Sequence, residues 1–135
     1  IAIAVDEEHD HVYGQPHGFI WVFDATDLEN LRPLSTFQLS EMESPWSRSP
    51  GRFGAHQFQE HLDDELVYSV WFSGGLRILD ISDPFLPKEV GHFIPEPLNG
   101  HPSPQSNDVD VDGKGLIYVT DRNAGFDILE FAGSR

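Results

Sequence analysis

Most of what this chain can become is set by an internal repeat. Gly75-Leu76-Arg77-Ile78-Leu79-Asp80-Ile81-Ser82-Asp83 is echoed by Phe19-Ile20-Trp21-Val22-Phe23-Asp24-Ala25-Thr26-Asp27, which places Asp24 and Asp80 56 residues apart. The same offset relates Arg32-Pro33-Leu34-Ser35-Thr36-Phe37 to Lys88-Glu89-Val90-Gly91-His92-Phe93. A third copy, Gly125-Phe126-Asp127-Ile128-Leu129-Glu130-Phe131, follows 50 residues after the second. Leu66-Val67-Tyr68-Ser69-Val70-Trp71 and Leu116-Ile117-Tyr118-Val119-Thr120-Asp121 precede two of the copies. β-branched and aromatic residues fill these runs. The breaks, Gly74-Gly75, Ser82-Asp83-Pro84 and Asp112-Gly113-Lys114-Gly115, are the turn chemistry of antiparallel meanders.

A repeat of roughly 40 to 50 residues holding four short strands is the pattern of a propeller blade, whose faces are buried against neighbouring blades. An immunoglobulin-like sandwich would not require a repeat. The expected fold is therefore all-β, built from β-propeller blades that are four-stranded antiparallel meanders. No long helix is expected, and residues 27–31 read as one helical turn ahead of Pro33.

With strands lettered A to D outward from the channel, blade one (1–45) supplies B (1–5), C (19–24) and D (34–39). Blade two (46–97) supplies A (56–60), B (66–72), C (76–81) and D (89–94), and blade three (98–135) supplies A, B and C. This is an incomplete ring of just under three blades, whereas closed propellers have about 4 to 8. The remaining blades are thus expected to come from the same precursor or another chain. The 135 residues are expected not to form a stable closed monomer, with Leu79, Ile81, Ile128 and Phe131 exposed on uncovered faces.

Charge narrows the partners. Eight basic and 23 acidic residues give a net charge of −15, which repels phosphate backbones and anionic lipid, so no nucleic acid partner is expected. No apolar run approaches the length of a membrane span, so none is expected. With no cysteine, thiolate metal sites and a Cys nucleophile are excluded. The few lysines in so acidic a chain also fit a salt-adapted source.

The segment Gly75 to Pro84, followed by Pro87-Lys88-Glu89-Val90-Gly91, resembles the LVIVD-repeat family of bacterial and archaeal β-propellers. Arg52-Phe53-Gly54-Ala55-His56-Gln57-Phe58-Gln59-Glu60 is similar to the Arg-Phe-Gly-Pro-His-Asn-x-His-Glu segment of one branch of that family. Ala55 and Gln59 depart from it, standing where the branch has Pro and a second His. Gln105-Ser106-Asn107-Asp108-Val109 and Gly115 to Asp121 resemble the same branch's last blade. The resemblance implies a bacterial, exported, periplasmic or cell-surface protein.

In a propeller the B–C and D–A loops open on one face, which would gather His9, His11, His17 and His56. Alternation along strand A lets His56 and Glu60 share one side, taken as the channel side. With His17 they form a candidate metal set for Zn, Mn or Fe, against the plain reading of a hydrogen-bonded His and a solvated carboxylate. His56-x-x-x-Glu60-His61 matches no zinc motif. Ligand-face candidates are Arg48 and Arg52 for an anionic small molecule, Asn107 and Asp108 at the start of blade three's strand A, and Asp121, Arg122 and Asn123 at a B–C turn. Trp71 and Phe72 end another B strand there. Asp108-x-Asp110-x-Asp112-Gly113 opens like a calcium loop but has Val119 where a bidentate Glu is needed, so it reads as a strand and turn.

Two functions follow. One is a propeller scaffold binding a ligand, metal or partner at the channel mouth. The other is a metal-dependent enzyme, a hydrolase or oxidoreductase, whose His/Glu site is completed by blades outside this chain.

Overall fold

The computed structural model describes residues 1–10, 16–60 and 65–133. It is all-β, with no α-helix among the described residues. Three antiparallel sheets lie side by side without closing into a barrel. Sheet 1 holds β1 (Ala2–Val5), β2 (Ile20–Asp24) and β3 (Arg32–Phe37). Sheet 2 holds β4 (Gln57–Phe58), β5 (Leu66–Trp71), β6 (Gly75–Asp80) and β7 (Lys88–Phe93). Sheet 3 holds β8 (Ser106–Val111), β9 (Leu116–Asp121) and β10 (Gly125–Glu130). Each sheet is a meander whose spatial order follows the chain, as the repeat predicts.

The repeat is visible in irregularities as well as in strands. The β2–β3 ladder slips between Val22 and Phe23, and the β6–β7 ladder slips between Ile78 and Leu79, the same repeat position. Leu34 and Val90 are the extra residues, and such a bulge deepens the local twist of an outer strand. The repeated acids end the strands. Asp24 Oδ1 accepts from Thr26 N at 2.9 Å, and Asp80 Oδ1 accepts from Ser82 N at 2.8 Å. Asp27 and Asp83 then cap the next turn through Glu29 N and Phe85 N, each at 3.0 Å. This is the Asx-turn use of Asp, and residues 27–31 accordingly form a bonded turn, Asn30 N to Asp27 O, rather than a helical one.

Two apolar seams hold the sheets together. Between sheets 1 and 2 lie Ile20, Leu39, Phe53, Ala55, Val67, Trp71 and Leu79. Between sheets 2 and 3 lie Tyr68, Val70, Leu76, Ile78, Val109, Ile117 and Val119. Burial of each large apolar side chain contributes about 1.5–3 kcal/mol, and sheet 2 contributes both its faces. The expectation that Leu79 is exposed is therefore wrong. Leu79 is fully buried, Ile81 packs beside the first seam and Phe131 beside the second, because both residue sets point back toward sheets already present. Ile128 is exposed as expected.

The first seam also encloses Arg77, only 1% exposed. Its Nε donates to Gly74 O at 2.9 Å, its Nη2 to Glu43 O at 2.8 Å, and its Nη1 pairs with Glu89 Oε2 at 3.2 Å. Burial lowers the guanidinium pKa while Glu89 opposes that shift. Glu43 belongs to a single 3-10 turn, Glu41–Glu43, closed by a capping box from Ser40. Arg77 thus ties the loop leaving sheet 1 to the middle of sheet 2.

Candidate functional site

Segments 6–10, 16–19, 38–56, 72–74, 94–105 and 122–124 meet at one end of the sheets, where β1, β5 and β9 finish and β4 and β8 begin. Phe72 is the centre of this end. It has φ +25°, an uncommon backbone for a bulky residue. The Arg52 guanidinium lies 3.8 Å from its ring centroid, and the His56 ring is 4.5 Å away. Strained backbone beneath a stacked cation is the kind of arrangement found where a protein presents groups to a ligand.

Arg52 is held from several sides. Its Nη1 donates to Glu7 Oε1 at 3.1 Å and to Glu8 O at 3.3 Å. The Gln105 carboxamide clamps its backbone, accepting from Arg52 N at 3.0 Å and donating to Arg52 O at 2.9 Å. His56 Nδ1 donates to Asn107 O at 2.6 Å, which turns Nε2 toward Glu7 Oε1 at 3.4 Å. The β8–β9 ladder slips between Ser106 and Asp108, leaving Asn107 as the bulged residue. The bulge re-aims its side chain, and Asn107 Oδ1 accepts from Arg122 Nε at 2.6 Å.

A second group adjoins the first. The buried Glu8 carboxylate accepts from Phe53 N at 3.0 Å and from Gly54 N, and its Oε1 lies 2.8 Å from His17 Nδ1. His17 Nε2 faces Glu41 Oε1 at 3.2 Å, and Arg48 Nε donates to Glu41 Oε2 at 3.3 Å. A carboxylate at each ring nitrogen calls for a doubly protonated imidazole. Burial pulls the His17 pKa down, but the hydrogen bonds and charges of Glu8 and Glu41 outweigh it and the net shift is upward. His17 in turn, followed by Arg48, lowers the Glu41 pKa. Gly54 is required here, since a Cβ would sit 2.6 Å from Gly18 N and 2.7 Å from Glu8 Oε2.

The sequence-predicted residues therefore divide. Arg52 and His56 meet on Phe72, Asn107 joins them through His56 and Arg122 through Asn107, and Asp108 is exposed on β8. Arg48 points to solvent. Asp121 and Asn123 are committed to the fold: Asp121 accepts from Gln105 N, Ser106 Oγ, Asn123 N and Ala124 N, and Asn123 Nδ2 donates to Ser103 O. His9, His92 and His101 are exposed, whereas His11 and His61 lie outside the described residues. Asp112 binds Lys114 N, Leu116 N and the Tyr118 hydroxyl, as a turn residue does.

The candidate metal set of His56, Glu60 and His17 is not assembled. Glu60 lies at the far end of the inner strand and lines a cleft with Ile1, Phe58 and Glu65. Four extended residues span about 13 Å, so His56 and Glu60 cannot share an ion. Nor does their side of the strand face the channel. His56 meets Glu7 and Phe58 packs into the first seam, because side chains stand perpendicular to a sheet and so point toward neighbouring sheets. His17 turns its two nitrogens to different carboxylates. Among the described residues, no group of three or more His, Asp or Glu side chains could hold a metal ion.

Sequence reasoning missed Glu7, Glu8, Glu41 and Gln105. Glu7 and Glu8 stand in the run Asp6-Glu7-Glu8-His9-Asp10, which looks solvated throughout, and only tertiary contacts distinguish the buried Glu8.

The folded unit is thus an array of antiparallel blade-like sheets with a polar and aromatic site at one end. No protein-family model matches the chain, and no curated protein matches it either.

Proposed function

We propose that the chain is a blade array of a β-propeller of the LVIVD-repeat kind, and that its loop face binds a small anionic ligand beside Arg52 and Arg122. The observation carrying this reading is Arg52, its guanidinium held over the strained Phe72 by Glu7 and the Glu8 carbonyl and its backbone clamped by Gln105, next to His56 and the Asn107–Arg122 pair. A guanidinium fixed in this way loses little further freedom on binding a carboxylate or phosphate. Three of the eight basic residues, Arg48, Arg52 and Arg122, lie at this end of the molecule.

The uncovered outer faces of sheets 1 and 3 support further blades as partners, from the same precursor or another chain. Among the described residues, no helix is long and apolar enough to cross a membrane.

Calorimetric titration of the 135-residue chain with acetate, citrate, inorganic phosphate and glycerol tests the ligand reading. At least one anion should bind where glycerol does not. Arg52→Ala should weaken it about tenfold, the equivalent of about 1.4 kcal/mol, Arg122→Ala less, and Arg48→Ala hardly at all. Equal affinities for wild type and Arg52→Ala would refute the proposal.

A further inference from the structure

Glu7 stands where the loop face would take an anion. Its Oε1 lies 3.1 Å from Arg52 Nη1 and 3.4 Å from His56 Nε2, so one carboxylate oxygen bridges the guanidinium and the imidazole that both pack on Phe72. Its other oxygen accepts no hydrogen bond among the described residues, and Arg52 Nε and Nη2 donate none. The backbone on either side of Glu7 is fixed, with Asp6 N bonded to Phe19 O at 2.9 Å and Glu8 N to Ala55 O at 3.2 Å. The side chain is freer. It is 37% exposed whereas Arg52 and His56 are largely buried, so it can turn to water while Arg52 keeps the Glu8 carbonyl, the Phe72 ring and the Gln105 clamp.

We infer that Glu7 is the internal ligand of this site, and that the external ligand is an organic carboxylate that displaces Glu7 from Arg52 and His56. The inference rests on the loop face being an anion site, and it adds which anion binds and what opposes it. Glu7 itself shows that the two groups together accept a carboxylate oxygen. It engages Arg52 through a single bond, however, whereas a free carboxylate can take Nη1 and Nη2 together in two parallel bonds, the stronger and more specific arrangement. A phosphate dianion is a poorer occupant, because it brings a second negative charge close to the buried Glu8 carboxylate in a chain of net charge −15. A partly exposed ion pair such as Glu7 with Arg52 holds its partner only a few-fold, so the closed arrangement weakens ligand affinity by about fivefold.

Calorimetric titration of the 135-residue chain with propionate and with inorganic phosphate tests this. Propionate should bind the wild type more tightly than phosphate does. Glu7→Ala should tighten propionate binding about fivefold, and so should Glu7→Asp, which keeps the charge but falls short of Arg52. The Asp variant separates displacement from a change of field. Asp10→Asn, which removes an exposed charge from the same segment, should leave affinity within about twofold. In an Arg52→Ala background the gain from Glu7→Ala should be lost, because the contact that holds Glu7 in the site is gone. Unchanged affinity in both Glu7 variants, with the wild type still binding, would overturn the inference and leave the anion site standing. Weaker binding in both would make Glu7 a positioning residue for Arg52 and would overturn it too. Tighter binding of phosphate than of propionate would overturn the carboxylate assignment. Failure of the wild type and of both Glu7 variants to bind either anion would overturn the anion site together with the inference.

Discussion

Ile78 and Ile128 occupy the same position of the repeat in sheets 2 and 3, yet Ile78 is 3% exposed and Ile128 is 57% exposed. Their neighbours repeat the contrast, with Leu76 at 1% and Phe126 at 58%. In sheet 1 the counterparts Ile20 and Val22 are buried against sheet 2. The strand, the register and the residue type are alike in all three copies. The difference is that no sheet lies beyond sheet 3 among the described residues. Burial at these positions is a property of the array rather than of the blade, which is how repeat architectures distribute their stability. Phe126 meets this exposure by stacking on Tyr118, with ring centroids 6.2 Å apart.

The contrast can be broken most forcefully at Arg77, whose counterparts are Trp21 and Asp127. Arg77→Ala strands Glu89 and two carbonyls inside the first seam, and should cost about 3–5 kcal/mol, the scale for breaking a buried ion pair. Urea denaturation measures it, and Arg77→Met, which keeps the stem, should recover part of the loss.

Next in size is the direct comparison of equivalent residues. Ile78→Ala should cost about 2–5 kcal/mol as a cavity-forming change, while Ile128→Ala should fall within about 0.5 kcal/mol of wild type. Equal losses would mean that the outer face of sheet 3 is covered in solution.

Smaller again is the His17 link between Glu8 and Glu41 of the 3-10 turn that follows β3. Because its pKa is raised in the folded chain, its contribution is complete below the unfolded value near 6.5 and disappears as pH rises through the folded value. Stability should therefore decline as pH rises above 6.5 through the raised folded value, and His17→Gln should flatten that limb. Thermal unfolding across pH, read against Ile78→Ala as a control that keeps the limb, tests this.

The smallest effect concerns the repeated turn acids. Hydrogen bonds from Thr26 and Ser82 lower the pKa values of Asp24 and Asp80, so their contribution is present above the ordinary carboxylate range and fades as pH falls through the lowered values. Both side chains are well solvated, and Asp24→Asn with Asp80→Asn should only slightly reduce the acid limb of the same profile. The third copy has Glu130 at this position, whose longer side chain is not part of an Asx turn.

Strand order, meander connectivity and the two strand-ending acids were legible in the sequence, because strand propensity, turn chemistry and hydrogen bonding to residues two positions away are local. The repeat even placed most strands within a residue or two, β3 running Arg32–Phe37 where 34–39 was expected. The pairing of faces was not legible. Leu79 and Ile128 look equally apolar in the chain, and only the neighbouring sheet decides which is buried. The site divides in the same way: Arg52, His56, Asn107 and Arg122 were recognisable as residue types on one end of a blade array, but Glu8, Glu41 and Gln105 were not. Each of those three acts on a partner 24 to 53 residues away. Local chemistry alone thus fixed what each strand is, whereas long-range packing decided which charges are buried, which faces are covered and which groups meet. A side chain's energy depends on what displaces water around it, and that is settled only when distant segments arrive.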